Sequence, residues 1–253
     1  MGAERRKSNI MCGIFGSFDF MRYEKLYHEN KVRGNFAFGS VYVSTLKDAP
    51  PGLAKDTFKR KKEGVVDLSE HHSFQQDYVQ FLGHTQAPTS SNRAFSPATT
   101  HPFESVHYTV AHNGVLQNHK GLSDEWMPGW WDEKCVDSEI IPAMLSINVE
   151  FDEKIVMSHQ EDSGKTEDVL TIEKTCSQLR GTFGCWIYSK LTGDTFIVRS
   201  GSTLFGNIDT GDFSSVFVPG VCEQELKEGV VYCITTEGLA ECGEFETSSP
   251  FFL

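Results

Sequence analysis

Cys12 is the clearest candidate for a catalytic residue in this sequence, because it directly follows a second methionine, Met11. If the chain began at Cys12, one residue would carry a thiol with a pKa of about 8.5 and an α-amine with a pKa of about 8. The thiol could then act as a nucleophile with the amine as its base, without a histidine partner. Because a cysteine near a chain start is more often an ordinary core residue, this interpretation needs support from other segments.

Five further segments place polar and glycine residues in a recognisable order. They are Gly83-His84-Thr85-Gln86-Ala87-Pro88-Thr89, Thr100-His101-Pro102-Phe103, Ala111-His112-Asn113-Gly114-Val115-Leu116-Gln117-Asn118, Val136-Asp137-Ser138-Glu139 and Gly181-Thr182-Phe183-Gly184. Together with the Cys-Gly-Ile opening and the pair Arg33-Gly34, they resemble the class II glutamine amidotransferases, whose first mature residue is a nucleophilic cysteine. Each segment is weak alone, but five or six in register are specific. The resemblance extends from Cys12 to about residue 200.

The resemblance implies an α+β fold, namely a four-layer αββα sandwich in which two antiparallel sheets lie between helix layers. It also implies hydrolysis of the glutamine side-chain amide to glutamate and ammonia, with no cofactor. No composition break marks a second domain. We therefore expect a tail at residues 1–11 and one domain over residues 12–253.

The same resemblance assigns the catalytic roles. Cys12 would attack the amide and form a thioester, while its own α-amine moves protons. The Asn113 side chain and the Gly114 backbone N–H would form the oxyanion hole, where preformed donors stabilise the tetrahedral intermediate. In isolation, an Asn-Gly pair is more typical of a tight hairpin turn, but the flanking Ala-His and Asn118 favour the catalytic assignment.

Besides Gln86, the resemblance implies substrate contacts at three further positions. Asp137 matches the acidic residue that holds the substrate ammonium group, and its alternative role is helix capping. Thr89 and His101 match residues that contact the substrate in sugar-synthase members of the family. Arg33 is expected to support the site from behind rather than to touch the substrate.

The histidines suggest no metal site. His84, His112 and His119 have no spacing that makes a recognised ligand set, so we predict that no metal is bound. His84 is instead expected to be a supporting residue.

Gln86 departs from the family pattern. The family usually has an arginine there, which pairs with the substrate α-carboxylate, and a neutral amide cannot replace that bidentate contact. Gln86 remains a predicted substrate-binding residue, with two alternatives open. Arg93 supplies the charge instead, or the substrate lacks a free carboxylate.

The tail is a second departure, because Cys12 has an α-amine only when residues 1–11 are absent. Three interpretations remain: a processed propeptide, as some family members carry; a misassigned start with Met11 as the true initiator, which we prefer; or an inactive protein. Intact mass distinguishes them.

The charge composition argues against some classes of binding partner. The 253 residues carry 23 Lys and Arg against 35 Asp and Glu, a formal charge of −12, which argues against nucleic-acid or membrane partners. The basic run at residues 59–62 is expected to be a solvated face. The seven cysteines include no CxxC pair, and no signal peptide precedes them, which favours the reducing cytoplasm.

The alternation of apolar residues predicts the elements that must position the site. Strands are expected at about residues 11–18, 36–43, 78–82, 106–111, 182–188, 195–199, 215–218 and 229–235, and two helices at about 137–145 and 169–179, the second stopped by Gly181. Residues 44–76 are expected to be an excursion from the core.

Three functions follow from these residues. The first is a stand-alone glutaminase domain, of a length that also occurs in phage genomes, that passes ammonia to a separate ATP-dependent synthetase or transferase. The second is an amidase acting on a γ-glutamyl or related conjugate, favoured by Gln86. The third is an inactive binding subunit, which would be expected to lose Cys12 or Asn113 first.

Overall fold

The computed structural model describes residues 12–44, 57–74, 77–87, 94–131, 135–152 and 165–247. The expected tail at residues 1–11, and the predicted site residues Thr89 and Arg93, lie outside these ranges.

A seven-stranded antiparallel sheet carries the start of the described chain. Its strands, in spatial order, are β11 (Gln224–Glu225), β9 (Phe205–Gly206), β10 (Phe213–Ser214), β1 (Gly13–Ser17), β4 (Tyr78–Gln86), β2 (Ala37–Ser44) and β3 (Thr57–Glu63). Since β1 lies in the middle of this sheet, the backbone next to Cys12 is held on both sides.

A six-stranded antiparallel sheet faces the first one. Its strands, in spatial order, are β13 (Gly238–Glu244), β12 (Val230–Thr235), β8 (Thr195–Ser200), β7 (Gly181–Ser189), β6 (Tyr108–Leu116) and β5 (Phe103–Glu104). Apolar side chains of both sheets, such as Ile14 and Leu82 from one and Ala111 and Trp186 from the other, form a shared core between them.

Helices cover the outer faces of both sheets. Helix α1 (Phe20–Asn30) packs on the seven-stranded sheet, and α3 (Ile140–Asp152) and α4 (Glu167–Gln178) pack on the six-stranded sheet, with α2 (His119–Trp126) beside α3. Helix α1 begins after Asp19, whose side chain accepts a hydrogen bond from the Arg22 backbone N–H at 2.8 Å. The arrangement confirms the predicted αββα sandwich.

Several predicted elements need correction. Residues 44–76 are not wholly an excursion, because β3 pairs along its length with β2. Its basic run suits an edge strand, where charged side chains discourage pairing with other chains. The helices α1 and α2 and the strands β5, β9, β11 and β13 also lie outside the predicted set.

Other predicted boundaries were also wrong. The strand expected at residues 215–218 is instead the two-residue β10, which ends at Ser214. Gly181 begins β7 rather than stopping α4, which ends at Gln178. Among the described residues, no helix has the length and apolar character that a membrane crossing requires.

Trp186 joins the two sheets through its indole N–H, which donates to the Gly83 carbonyl at 3.0 Å from a fully buried ring. We expect Trp186→Phe to lower the free energy of unfolding by about 2–3 kcal/mol, because it removes this hydrogen bond and leaves unfilled volume. Trp130→Phe is the matched control, since Trp130 is 40% exposed and its substitution should cost less than about 0.5 kcal/mol. Equal denaturant midpoints for the two variants would contradict this role.

Candidate active site

Cys12 lies at the beginning of β1, on the side that faces the other sheet. Along β1, Ile14 belongs to the core between the sheets, whereas Phe15 belongs to the core beneath α1. Side chains alternate along a strand, so Cys12 shares the inner face with Ile14. The thiol is half-buried at the end of the space between the two sheets.

Asn113 and Gly114 lie in β6 of the opposite sheet. Ala111 belongs to the core between the sheets, so Asn113, two residues later, points to the same inner face. Gly114 has a φ of +149°, and a Cβ there would lie 2.0 Å from the Thr182 carbonyl oxygen. Only glycine fits this position, and the pair is part of a strand rather than the hairpin turn considered as its alternative.

Ser215 connects the two sides of the site. Its hydroxyl accepts a hydrogen bond from the Ile14 N–H at 2.9 Å and another from Asn113 Nδ2 at 3.2 Å. Its own backbone N–H donates to the Ile14 carbonyl at 2.8 Å. One residue therefore fixes the backbone next to the predicted nucleophile relative to the predicted oxyanion-hole amide, and sequence reasoning did not identify it.

Arg33 lies close to Cys12. Its Nη1 donates to the Ser215 carbonyl at 2.8 Å and to Thr203 Oγ1 at 3.0 Å. Burial lowers the pKa of Arg33, while the negative charge of the Cys12 thiolate raises it. The guanidinium thus places positive charge near the thiol, where it favours the thiolate.

The residue after Arg33 is a glycine because the backbone there passes very close to the end of β4. A Cβ at Gly34 would lie 2.4 Å from the carbonyl carbon of Gln86 and 2.5 Å from the Ala87 nitrogen. The segment after α1 therefore passes directly against the end of β4, and a larger residue would push the two apart.

Gln86 is a neighbour of Cys12 across the sheet. The β1–β4 register pairs Gly13 with Thr85, so its continuation by one residue brings Cys12 opposite Gln86. The Gln86 side chain is 2% exposed, and its Nε2 donates to the Thr99 carbonyl at 3.3 Å. Its Oε1 is buried and makes no hydrogen bond to any described residue.

Three buried histidines lie near Gln86. The His84 and His101 rings stack with centroids 4.0 Å apart, and His84 Nε2 contacts the His112 carbonyl at 3.2 Å. Burial lowers the pKa of His84 to about 3, so its ring is neutral at physiological pH. This is the environment of a packing residue, and the supporting role expected for His84 stays a prediction.

His112 points to the helix side of its sheet. Its Nδ1 lies 2.8 Å from Ser138 Oγ, and burial lowers its pKa while Asp137 raises it. His119 is separate, with its Nδ1 2.7 Å from the Leu116 carbonyl. Among the described residues, no group of three or more His, Cys, Asp or Glu side chains is arranged to hold a metal ion.

Asp137 lies beside the strand that carries the predicted oxyanion hole. Its Oδ2 accepts a hydrogen bond from the Leu116 N–H at 2.9 Å, two residues after Gly114. It is the first residue of the 3-10 turn Asp137–Glu139, whose N-cap is Val136, so its carboxylate does not cap that turn. The contact with Leu116 holds the carboxylate near β6, and its role toward a substrate remains a prediction.

No family model matches the chain. Among curated proteins, it is similar to the glutamine–fructose-6-phosphate aminotransferases (isomerizing). Identity is 30% over 186 residues with the protein from Chlamydia abortus, 29% over 204 residues with that from Shigella flexneri and 24% over 184 residues with that from Methanococcus maripaludis. These matches cover 71%, 80% and 71% of the chain but 27%, 31% and 28% of the relatives. The chain therefore spans less than a third of their length.

Two solved structures share the fold. The allosteric regulatory enzyme of purine biosynthesis matches with a TM-score of 0.62 at 17% identity, over 90% of this chain and 48% of that one. The glutamine phosphoribosylpyrophosphate amidotransferase from B. subtilis matches with a TM-score of 0.59 at 17% identity, over 91% of this chain and 48% of that one. These structures support the fold, and the curated relatives supply the family. On the sequence matches, the chain belongs to the class II glutamine amidotransferase family.

Proposed function

We propose that this chain hydrolyses the side-chain amide of glutamine through Cys12 and passes the ammonia to an acceptor on a separate synthetase or transferase. The observation that carries the proposal is the pair of hydrogen bonds at Ser215, which joins the strand beginning at Cys12 to the Asn113 side chain. In the proposal, the Cys12 thiol is the nucleophile and Asn113 Nδ2 is a donor to the oxyanion. Acyl transfer needs both groups at one point.

The proposed reaction has two steps. Cys12 Sγ gives its proton to the α-amine and attacks the side-chain carbonyl carbon, and the resulting oxyanion accepts hydrogen bonds from Asn113 Nδ2 and the Gly114 N–H. The C–N bond then breaks, and ammonia leaves with a proton supplied by the α-amine of Cys12, which leaves a thioester. Water attacks the thioester with the α-amine as base, which releases glutamate and restores the thiol.

This chemistry requires a protein whose first residue is Cys12, since an α-amide is not a base. Arg33 favours the thiolate, and Asp137 is proposed to hold the substrate ammonium group. Thr89 and His101 complete the proposed substrate contacts. No metal or cofactor takes part in the proposed reaction.

The proposed acceptor lies on another polypeptide. The curated relatives are named for fructose 6-phosphate, and one structural relative for phosphoribosylpyrophosphate, so proteins of this fold differ in their acceptors.

Gln86 favours a second candidate function, hydrolysis of a glutamine-like amide whose α-carboxyl group is blocked. The Thr99 carbonyl accepts from Nε2, so the amide is oriented with its oxygen toward the other side. A buried acceptor without a partner is costly unless a ligand or water donates to it. A free carboxylate cannot donate such a hydrogen bond, whereas the N–H of an amidated carboxyl group can.

Covalent trapping tests the proposed nucleophile. A glutamine-mimicking electrophile should add once, at Cys12, because burial raises the pKa of Cys242 to about 11 and of Cys233 to about 12 and so keeps those thiols protonated. Cys12→Ala should abolish labelling and ammonia release, whereas Cys242→Ser should preserve both. Intact-mass and peptide analysis give the readout, and an active, labelled protein that retains residues 1–11 would contradict the mechanism.

A partner that consumes ammonia should be detectable through its effect on the rate of ammonia release. We expect ammonia release from glutamine to rise at least about fivefold when cell extract and ATP are added together, as occupancy by a ligand shifts a protein toward its competent state. The Cys12→Ala variant in the same extract measures background glutaminase. If ATP and extract leave the rate of the intact protein unchanged, the separate ATP-dependent acceptor is contradicted.

Gln86→Arg tests the substrate pocket. An arginine should pair with the glutamine α-carboxylate and lower the KM for glutamine about tenfold, the equivalent of about 1.4 kcal/mol. Gln86→Leu, which has similar size without charge or hydrogen bonding, should not lower it. Steady-state kinetics with glutamine and with glutamine α-amide provide the comparison, and an unchanged KM in a folded Gln86→Arg protein would contradict the assignment of this pocket.

A further inference from the structure

Ser215 holds two groups that belong to different sheets. The Ile14 N–H and Asn113 Nδ2 both donate to its hydroxyl oxygen, at 2.9 and 3.2 Å. A serine oxygen has two lone pairs, so both acceptor sites of this hydroxyl are used. The residue is 1% exposed, which removes competition from bulk water.

The backbone of Ser215 strengthens this connection. Its N–H donates to the Ile14 carbonyl at 2.8 Å, so both polar backbone groups of Ile14 are bonded to Ser215. Its carbonyl accepts from Arg33 Nη1 and from Thr203 Oγ1, at 2.8 and 2.9 Å. Ser215 is therefore fixed by groups from three separate parts of the chain.

The hydroxyl determines the orientation of the Asn113 amide. A primary amide carries two N–H donors in one plane, and the donation of one to Ser215 fixes the direction of the other. The Asn113 carbonyl accepts from Ser202 Oγ at 3.0 Å, which holds the backbone of the same residue. Backbone and side chain of Asn113 are thus each held by one serine.

We propose that Ser215 is a positioning residue for the oxyanion hole, in that its hydroxyl sets the Asn113 amide at a fixed place relative to the strand that begins with Cys12. It does not touch the substrate. This inference rests on the proposed amide hydrolysis, in which Asn113 donates to the oxyanion. The position that Ser215 gives to the Asn113 amide stabilises the transition state rather than the bound substrate, because the substrate carbonyl carries little charge before attack.

A double-mutant cycle tests the proposal. We expect Ser215→Ala to lower kcat for ammonia release by about 10- to 100-fold with little change in KM, since misplacing one oxyanion donor costs part of the 10²–10³-fold effect of removing it. In an Asn113→Ala background, the same Ser215→Ala change should lower kcat less than about twofold, because the group that it positions is already gone.

Ser214→Ala is the matched control. Ser214 is also fully buried, and its hydroxyl accepts from Asn30 Nδ2 at 2.8 Å, but it does not contact Asn113. Its substitution should leave kcat within about twofold of the parent, while thermal melting reports any loss of stability in either serine variant. Ser215→Cys, which keeps a weak acceptor at the same position, should restore part of the lost kcat.

The outcomes distinguish a failure of the positioning role of Ser215 from a failure of the proposed amide hydrolysis. Equal losses of kcat from Ser215→Ala in the presence and absence of Asn113, or a parent-like kcat in Ser215→Ala, would overturn the positioning role while leaving amide hydrolysis intact. If the parent protein neither releases ammonia nor reacts at Cys12, the proposed function fails and the positioning role is overturned with it.

Discussion

The structure depends on the face-to-face contact of two antiparallel sheets, joined at one end by the hydroxyl of Ser215. Apolar burial holds the sheets together but has no preferred direction, so it cannot fix the relative position of two polar groups. The hydrogen bonds from Ile14 and Asn113 supply that direction. The strand that follows Cys12 and the side chain of Asn113 belong to different sheets, and the Ser215 hydroxyl connects them.

Around this contact, the protein keeps polar atoms buried and without hydrogen-bond partners in the described residues. Arg33 Nη2, Gln86 Oε1 and Asn113 Oδ1 are of this kind. Each such group costs about 1–3 kcal/mol when it stays unsatisfied. A bound polar ligand would offset that cost by supplying hydrogen bonds to such atoms. The rings of His84 and His101 stack on each other, with centroids 4.0 Å apart.

The sequence predicted the fold where local signals were strong, since alternating apolar residues indicated β6 and β7. The order of short motifs nominated Cys12, Asn113 and Gly114 as site residues, and their roles stay predictions. Ser215 could not be found this way, because its partners lie 201 and 102 residues away and two adjacent serines carry no periodic pattern. Its function arises only from the three-dimensional contact of the two sheets.

Two other differences between the predicted and the observed secondary structure have local causes. Strand β3 carries four consecutive basic residues, a pattern that is more typical of a solvent-exposed loop. An edge strand tolerates them because one of its sides faces solvent. Helix α1 did carry a readable signal, since Asp19 caps it and Phe20, Tyr23 and Tyr27 follow at helical spacing.

The central claim is that Cys12 forms a covalent acyl intermediate with the substrate. Rapid acid quenching of the protein during turnover of glutamine, followed by mass spectrometry of its peptides, observes that intermediate directly. The account predicts a glutamyl thioester on Cys12, in a peptide that begins with this residue. Steady ammonia release with no acyl group on Cys12 at any quench time, or an acyl group on another residue, would contradict it.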